Sequence, residues 1–248
     1  MAPMRIEIDG RAPTAEELAA ATSAFGHFTA MQVRGGRIRG LELHLDRLEG
    51  ANRELFDADL DRERVLVLLR NALGEVEDAS LRVYFYEAEA APKTVVTVRQ
   101  PGGVTSPQRL QSVRYQRPSA HLKHLATEQG FHARVARLNG FDDAVLAGTD
   151  GTISETTIAN IGFFDELGVV WPDAPLLRGI TMQLLESRAP WRTARIRLQE
   201  IESFEGAFLS NSHGVAAVSE IDGITLSMPE DRLEALQAAY AAVPWDEI

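Results

Sequence analysis

The sequence predicts a mixed chain of helices and strands in two segments, and three patterns carry that reading. Through the first hundred residues, strand-like runs of β-branched and aromatic residues are interspersed with amphipathic helical runs. A stretch rich in proline and glycine, PGGVTSPQ, interrupts the chain at 101–108. Beyond it, a series of short strands separated by turn residues replaces the earlier pattern.

The elements follow in order. MRIEIDG alternates apolar and polar residues before a glycine, as a strand entering a turn does. HFTAMQVR and RIRGLELH flank Gly35-Gly36, a pair that accepts the positive φ angles of a two-residue hairpin turn. LHLDRLEGANRELF then places Leu45, Leu48 and Leu55 at helical intervals, and RERVLVLLRNAL does the same with Val65, Leu68, Leu69 and Leu73. SLRVYFYEA and TVVTVRQ form a second hairpin around EAAPK.

After the 101–108 stretch come a strand, RLQSVRYQRP, and a helical stretch, HLKHLATEQGFHARVARLNG. The run DDAVLAGTDGTISETTIANIGFFDELGVVWP divides into short strands, with Asp150-Gly151 and Glu166-Leu167-Gly168 as turns. A helix over about Thr181–Arg188 ends at Pro190, and DRLEALQAAYAAV is the last amphipathic helix.

Composition narrows the function. At 248 residues and 45% hydrophobic content, the chain buries a sizeable core. Its 36 acidic against 25 basic residues give a net charge of −11, which repels nucleic acid backbones and anionic membranes. With no cysteine, disulfides and thiolate metal sites are excluded. No stretch approaches the roughly 20 apolar residues of a membrane span, and the N-terminus lacks a signal-peptide core. The expectation is a cytoplasmic protein acting on small molecules, with neither nucleic acid nor membrane as partner. Six histidines without an HExxH motif give no expectation of a metal.

Four separated pieces carry the chemistry: His44-Leu45-Asp46-Arg47-Leu48, Lys123, Glu155 with Asn160, and Leu177-Arg178-Gly179-Ile180-Thr181. Each is weak alone. Their order and spacing resemble the class IV aminotransferases, the fold type IV enzymes of pyridoxal 5′-phosphate (PLP), over almost the whole chain.

The resemblance implies an α+β fold of two lobes: a small α/β N-terminal lobe at 1–100, a linker at 101–108, and a larger C-terminal PLP-binding lobe at 109–248. The second lobe would be a β-barrel-like sheet with outer helices. It also implies a homodimer, as is usual for family members.

Residue roles follow from the same resemblance. Lys123 is the Schiff-base lysine, one of only two lysines in the chain, the other being Lys93 in a hairpin turn. A lysine amine condenses reversibly with an aldehyde and afterwards moves a proton. Glu155, in a Glu-x-x-x-x-Asn pattern with Asn160, would hold the pyridine nitrogen protonated. Asn160 would support either its strand or the cofactor.

Arg47 matches the phosphate-binding arginine, whose fork holds two oxygens at once. Gly179, Ile180 and Thr181 open a helix and would add backbone donors and a hydroxyl. FLSNSHGVAAV resembles a further phosphate loop, in which Asn211 or Ser212 makes the contact.

Departures from the family pattern bear on the substrate. Gly26-His27-Phe28-Thr29 stands where a Gly-x-Tyr-Glu is frequent, so Phe28 replaces a pocket tyrosine. His124 and Ala126 follow the lysine in place of the family's hydroxyl and amide residues, and His124 is expected to face solvent. Arg82 resembles in position an arginine of branched-chain enzymes and is a candidate for a substrate anion.

The first functional reading is transamination between an amino acid or amine and a keto acid. The second is a lyase of the aminodeoxychorismate lyase type, and the third a PLP-binding protein without turnover.

Overall fold

The computed structural model describes residues 4–23, 25–125 and 128–248. Ala126, one of the departures noted above, lies outside them, as does the part of the expected helix at 126–127. Contacts divide the chain into two units, Met1–Gly102 with Leu122–Ala126 and Pro244–Ile248, and Gly103–His121 with Thr127–Val243.

The first unit contains β1 (Arg5–Ile8), α1 (Ala15–Ser23), β2 (Gly26–Val33), β3 (Arg37–Ile38), α2 (Leu41–Phe56), α3 (Arg62–Leu73), β4 (Ala79–Tyr86) and β5 (Lys93–Arg99). Four strands pair antiparallel in the order β1-β5-β4-β2. Period-two burial of β2 puts His27, Thr29, Met31 and Val33 on the helix-packed face, whereas Phe28, Ala30 and Gln32 occupy the other.

Leu41, His44, Leu45 and Leu48 form the buried stripe of α2, which packs with Leu68 and Leu69 of α3 over Leu81, Val83 and Val96. The α3 start is capped by Asp61, whose side chain accepts from the Arg64 amide at 2.9 Å.

The second unit contains β6 (Gln108–Arg114), α4 (Gln129–Leu138), β7 (Asp143–Ala147), β8 (Ile153–Thr156), β9 (Asn160–Asp165), β10 (Gly168–Pro172), α5 (Ile180–Glu186), β11 (Trp191–Ala194), a 3-10 turn (Leu198–Ser203), β12 (Gly206–Asn211), β13 (Gly214–Ile221), β14 (Ile224–Thr225) and α6 (Glu230–Ala241). Eight of the strands follow the order β11-β10-β9-β12-β13-β6-β7-β8, with β14 beside β13. Strands β7 and β9 are almost wholly buried, which explains their near-continuous apolar runs, whereas the equally buried β8 carries Ser154, Glu155 and Thr156. One core gathers Leu110, Val145, Ile161, Phe163 and Val218, and another gathers Trp171, Phe208 and Leu185.

The structure departs from expectation around Lys123, which is not on a helix: α4 begins only at Gln129, and 123–125 runs extended beside β2. That pairing moves Leu122–Ala126 into the first unit, although the sequence assigned it to the second lobe. The last residues return as well, because β15 (Asp246–Glu247) pairs with β3. Strands β12 and β13 surround the expected phosphate loop, so it is the two-residue turn of a hairpin, with Asn211 paired to Gly214. No helix among the described residues is long and apolar enough to cross a membrane.

Candidate active site

In the first unit, the sheet edge positions Lys123. Strand β2 ends the sheet, and its outer edge is met by Lys123–Leu125: the Phe28 amide donates to the Lys123 carbonyl at 2.9 Å, and the Leu125 amide to the Gly26 carbonyl at 2.8 Å. His27 and His124 form the bridge between these bonds. Gly26 is required here, since a Cβ would lie 2.1 Å from the Phe85 carbonyl oxygen. His124 is therefore buried, at 7% exposure, and the expectation that it faces solvent fails because it pairs with a strand.

Lys123 projects over the face that the helices leave free. Its Nζ lies 4.8 Å from the Phe28 ring centroid, within cation–π range. Phe28 stacks on Tyr84 at 5.3 Å, and the Tyr84 hydroxyl accepts from Arg82 at 3.3 Å. Cross-strand pairing explains this row, because Phe28 is opposite Tyr84 and Ala30 is opposite Arg82. Lys123, Phe28 and Arg82 are thus brought together, with Tyr84 as a link that the sequence reading missed.

The helix side of the same strand holds two buried imidazoles. The Thr29 hydroxyl pairs with His44 Nδ1 at 2.6 Å, and His27 Nε2 with the Asn52 side-chain oxygen at 2.8 Å. Burial lowers the His27 pKa to about 4, against the raising effect of the hydrogen bond that its Nε2 gives to the Asn52 oxygen. His44 is held well below its ordinary value, first by burial and then by the positive charges of Arg47 and Lys123. Arg47 and Lys123 therefore act on one imidazole. Asp46 and Glu49, the acidic neighbours of Arg47 on α2, are both engaged by Arg62.

In the second unit, Glu155 is the penultimate residue of β8 and Asn160 begins β9, so the x-x-x-x of the pattern is the last strand residue, Thr156, and the turn 157–159. Glu155 is 4% exposed. One carboxylate oxygen accepts from Arg117 Nε at 2.9 Å and the other from the Leu177 amide at 3.3 Å. Arg117 also donates to the Ala120 carbonyl. Asn160 clamps the following loop, donating to the Leu177 carbonyl at 2.7 Å and accepting from the Gly179 amide at 3.1 Å.

A Cβ on Gly179 would fall 2.0 Å from that Asn160 oxygen, so close approach requires a glycine. Thr181 donates its hydroxyl to the Asn211 carbonyl at 2.7 Å, tying α5 to the hairpin turn that carries Ser212. Glu155, Asn160, Gly179, Ile180, Thr181 and Asn211 thus lie on one hydrogen-bonded frame.

Arg117 was missed by sequence reasoning. The available signal was physical: a buried carboxylate needs a cation or several donors, and Arg117 is the buried arginine among the described residues, at 4% exposure.

The Amino-transferase class IV family profile matches residues 26–221. A probable branched-chain-amino-acid aminotransferase from Rickettsia felis is 34% identical over 97 residues, which is 37% of this chain and 33% of that relative. The chain thus matches about a third of the length of that curated relative.

A hypothetical aminotransferase from Mycobacterium tuberculosis, in its PLP-bound form, superposes with a TM-score of 0.80 at 22% identity, covering 97% of this chain and 98% of that one. A Legionella pneumophila protein provisionally assigned as 4-amino-4-deoxychorismate lyase superposes at 0.75 and 21% identity, over 89% and 93%. These likenesses show the fold: mixed α+β with a curled half-barrel sheet, as in fold type IV. With the profile matched across both units, the chain belongs to the class IV aminotransferase family.

Proposed function

We propose that this chain is a PLP-dependent aminotransferase moving an amino group from an amino acid or amine to a keto acid, with Lys123 as the Schiff-base lysine. The observation that carries the reading is the buried carboxylate of Glu155, aligned by Arg117 and the Leu177 amide. A desolvated ion pair is a poor way to stabilise a fold, whereas an oriented buried carboxylate suits a protonated ring nitrogen.

The residues fit the cofactor. Glu155 would hold the ring nitrogen, and Gly179, Ile180 and the hairpin turn at Asn211 and Ser212, together with Arg47, are the candidates for the phosphate. The closeness of Gly179 to Asn160 supports this, because it leaves the loop backbone bare of side chain. Thr181 and Asn160 act by holding the loops, through the Asn211 carbonyl and the Leu177–Gly179 backbone respectively. When bound, the cofactor supplies an electron sink for the charge left when a bond to the substrate Cα breaks.

The chain's own groups do the rest. The Lys123 amine takes up and returns the Cα proton. Phe28, braced by Tyr84, walls the amine on one side, and Arg82 offers a positive charge to a substrate carboxylate. The neutral imidazoles of His27 and His44 add no charge to that neighbourhood at neutral pH.

The lyase reading, favoured by the likeness to the Legionella protein, uses the same groups. A non-catalytic PLP carrier would have no use for the Arg117–Glu155 pair. We place the chain in the cytoplasm as a homodimer, to be measured by sedimentation equilibrium.

The deciding assay incubates the purified, PLP-loaded protein with single amino acids and follows the loss of its aldehyde-form absorbance. Recovery on adding a keto acid supports transamination. Release of pyruvate from aminodeoxychorismate without an acceptor makes it a lyase, and a spectrum unmoved by any amine leaves only the carrier.

A further inference from the structure

Lys123 stands in a run too short to choose its own face. Residues 123–125 meet the edge of β2 through two backbone bonds, from the Phe28 amide to the Lys123 carbonyl and from the Leu125 amide to the Gly26 carbonyl. Side chains of an extended run alternate between two faces, so a slip of one residue would turn the lysine from the free face into the layer of helices. Such a slip is resisted where one residue of the run is committed to a buried face.

His124 is that residue. Its antiparallel bridge with His27 places it on the face that His27 occupies, the one packed by helices. This layer is closed: His27 is 1% exposed, its ring lies 5.5 Å from that of Phe85 and 5.6 Å from that of Phe56, and its Nε2 donates to the Asn52 oxygen of α2 at 2.8 Å. His124 is buried there, whereas Lys123 and Leu125 on either side are half-buried. Leu122 is buried as well, but it precedes the extended residues at a bend.

A side chain buried on one face sends its neighbour to the other, and the Lys123 Nζ accordingly lies 4.8 Å from the Phe28 ring centroid. The charge of the lysine works in the same direction, because an ammonium group costs far more to bury than an aromatic ring.

We propose that His124 is a positioning residue for Lys123: seated beside His27 in the layer between the sheet and α2, it fixes the register of 123–125 and delivers the amine to the free face. This gives a task to the residue that stands in place of the family's hydroxyl side chain. Its value to catalysis rests on reading Lys123 as the Schiff-base lysine, but the placement of the amine does not.

The test uses the full chain freed of any PLP, with its amines dimethylated by ¹³C-formaldehyde and a borohydride. Lys93 and Lys123 then give the two lysine methyl signals, and Lys123→Ala assigns them. In the parent, the Lys123 signal should be shifted upfield by the Phe28 ring, and Phe28→Leu should remove that shift. His124→Gly should lose it too, whereas His124→Leu, which keeps a buried side chain, should retain it. On unmethylated protein, the rate at which PLP forms a borohydride-stable adduct should fall by about tenfold or more in His124→Gly and stay near the parental rate in His124→Leu. Val65→Ala, which thins the core at α3, controls for lost stability and should leave the Lys123 signal in place.

Should His124→Gly not fold, His124→Ser carries the same comparison. A Gly or Ser variant that keeps the upfield signal, a Leu variant that loses it, or its equal loss in Val65→Ala would each overturn the proposal. A parent that shows the ring-shifted signal yet forms no adduct with PLP would defeat the Schiff-base reading and leave the register assignment standing.

Discussion

Replacing Arg117 by Met should destabilise the protein far more than breaking any surface ion pair. The side chains of Arg117 and Glu155 are 3% and 6% exposed, so removing the guanidinium strips a desolvated carboxylate of that cation. Breaking a buried pair from one side costs about 3–5 kcal/mol. With a urea slope of about 2 kcal/mol per molar, the unfolding midpoint should fall by roughly 2 M.

The pair Arg53–Asp59, with side chains 61% and 88% exposed, supplies the control. Arg53→Met should stay within about 1 kcal/mol of the parent. The double variant Arg117→Met/Glu155→Leu should recover most of the loss, because the stranded charge has gone. Urea unfolding of the parent, both single variants and the double variant, without added PLP, completes the cycle. A loss below about 1 kcal/mol for Arg117→Met, or a double variant as poor as the summed singles, would refute the assignment of a desolvated, mutually dependent pair.

Further outcomes follow from other residues. Lys123→Ala should abolish the covalent adduct that borohydride traps with PLP, read by intact mass, while Lys93→Ala should retain it. The His27 pKa is lowered in the fold, so the unfolded chain takes up the proton first. Stability should be full above about pH 6.5 and fall as the pH drops toward about 4. At pH 5, roughly 2 kcal/mol of that loss should be in place, and His27→Gln should remove it, as urea unfolding at pH 7.5 and pH 5 would report. Gly179→Ala drives a Cβ into the Asn160 oxygen. It should cost about 2 kcal/mol in thermal unfolding and weaken PLP binding measured by fluorescence quenching.

Much of the architecture was legible because period and punctuation are local. Leucine spacing located α2 and α3, and β-branched runs located β4 and β5. Elements whose burial comes from distant partners were not legible. The hairpin of β12 and β13 reads locally as a polar loop because Ser210, Asn211, Ser212 and His213 look like turn chemistry, though only Ser212 and His213 form the turn.

Scarcity and resemblance single out Lys123 but say nothing reliable about its backbone, since a local pattern cannot register hydrogen bonds to a strand about a hundred residues earlier. Arg117 escaped notice for a similar reason. A buried arginine and an exposed one have the same letter, and only the carboxylate opposite tells them apart.

The short run at Lys123–Leu125 also has a bearing on how the chain emerges from the ribosome. Until residue 125 has been synthesised, the rim of the first sheet at Gly26 and Phe28 has two backbone groups open to solvent and to any neighbouring strand. The nascent 1–102 piece is therefore stickiest before its lysine arrives. The residue proposed to do chemistry sits in the stretch that shuts that rim, so deletions there should first announce themselves as insoluble protein.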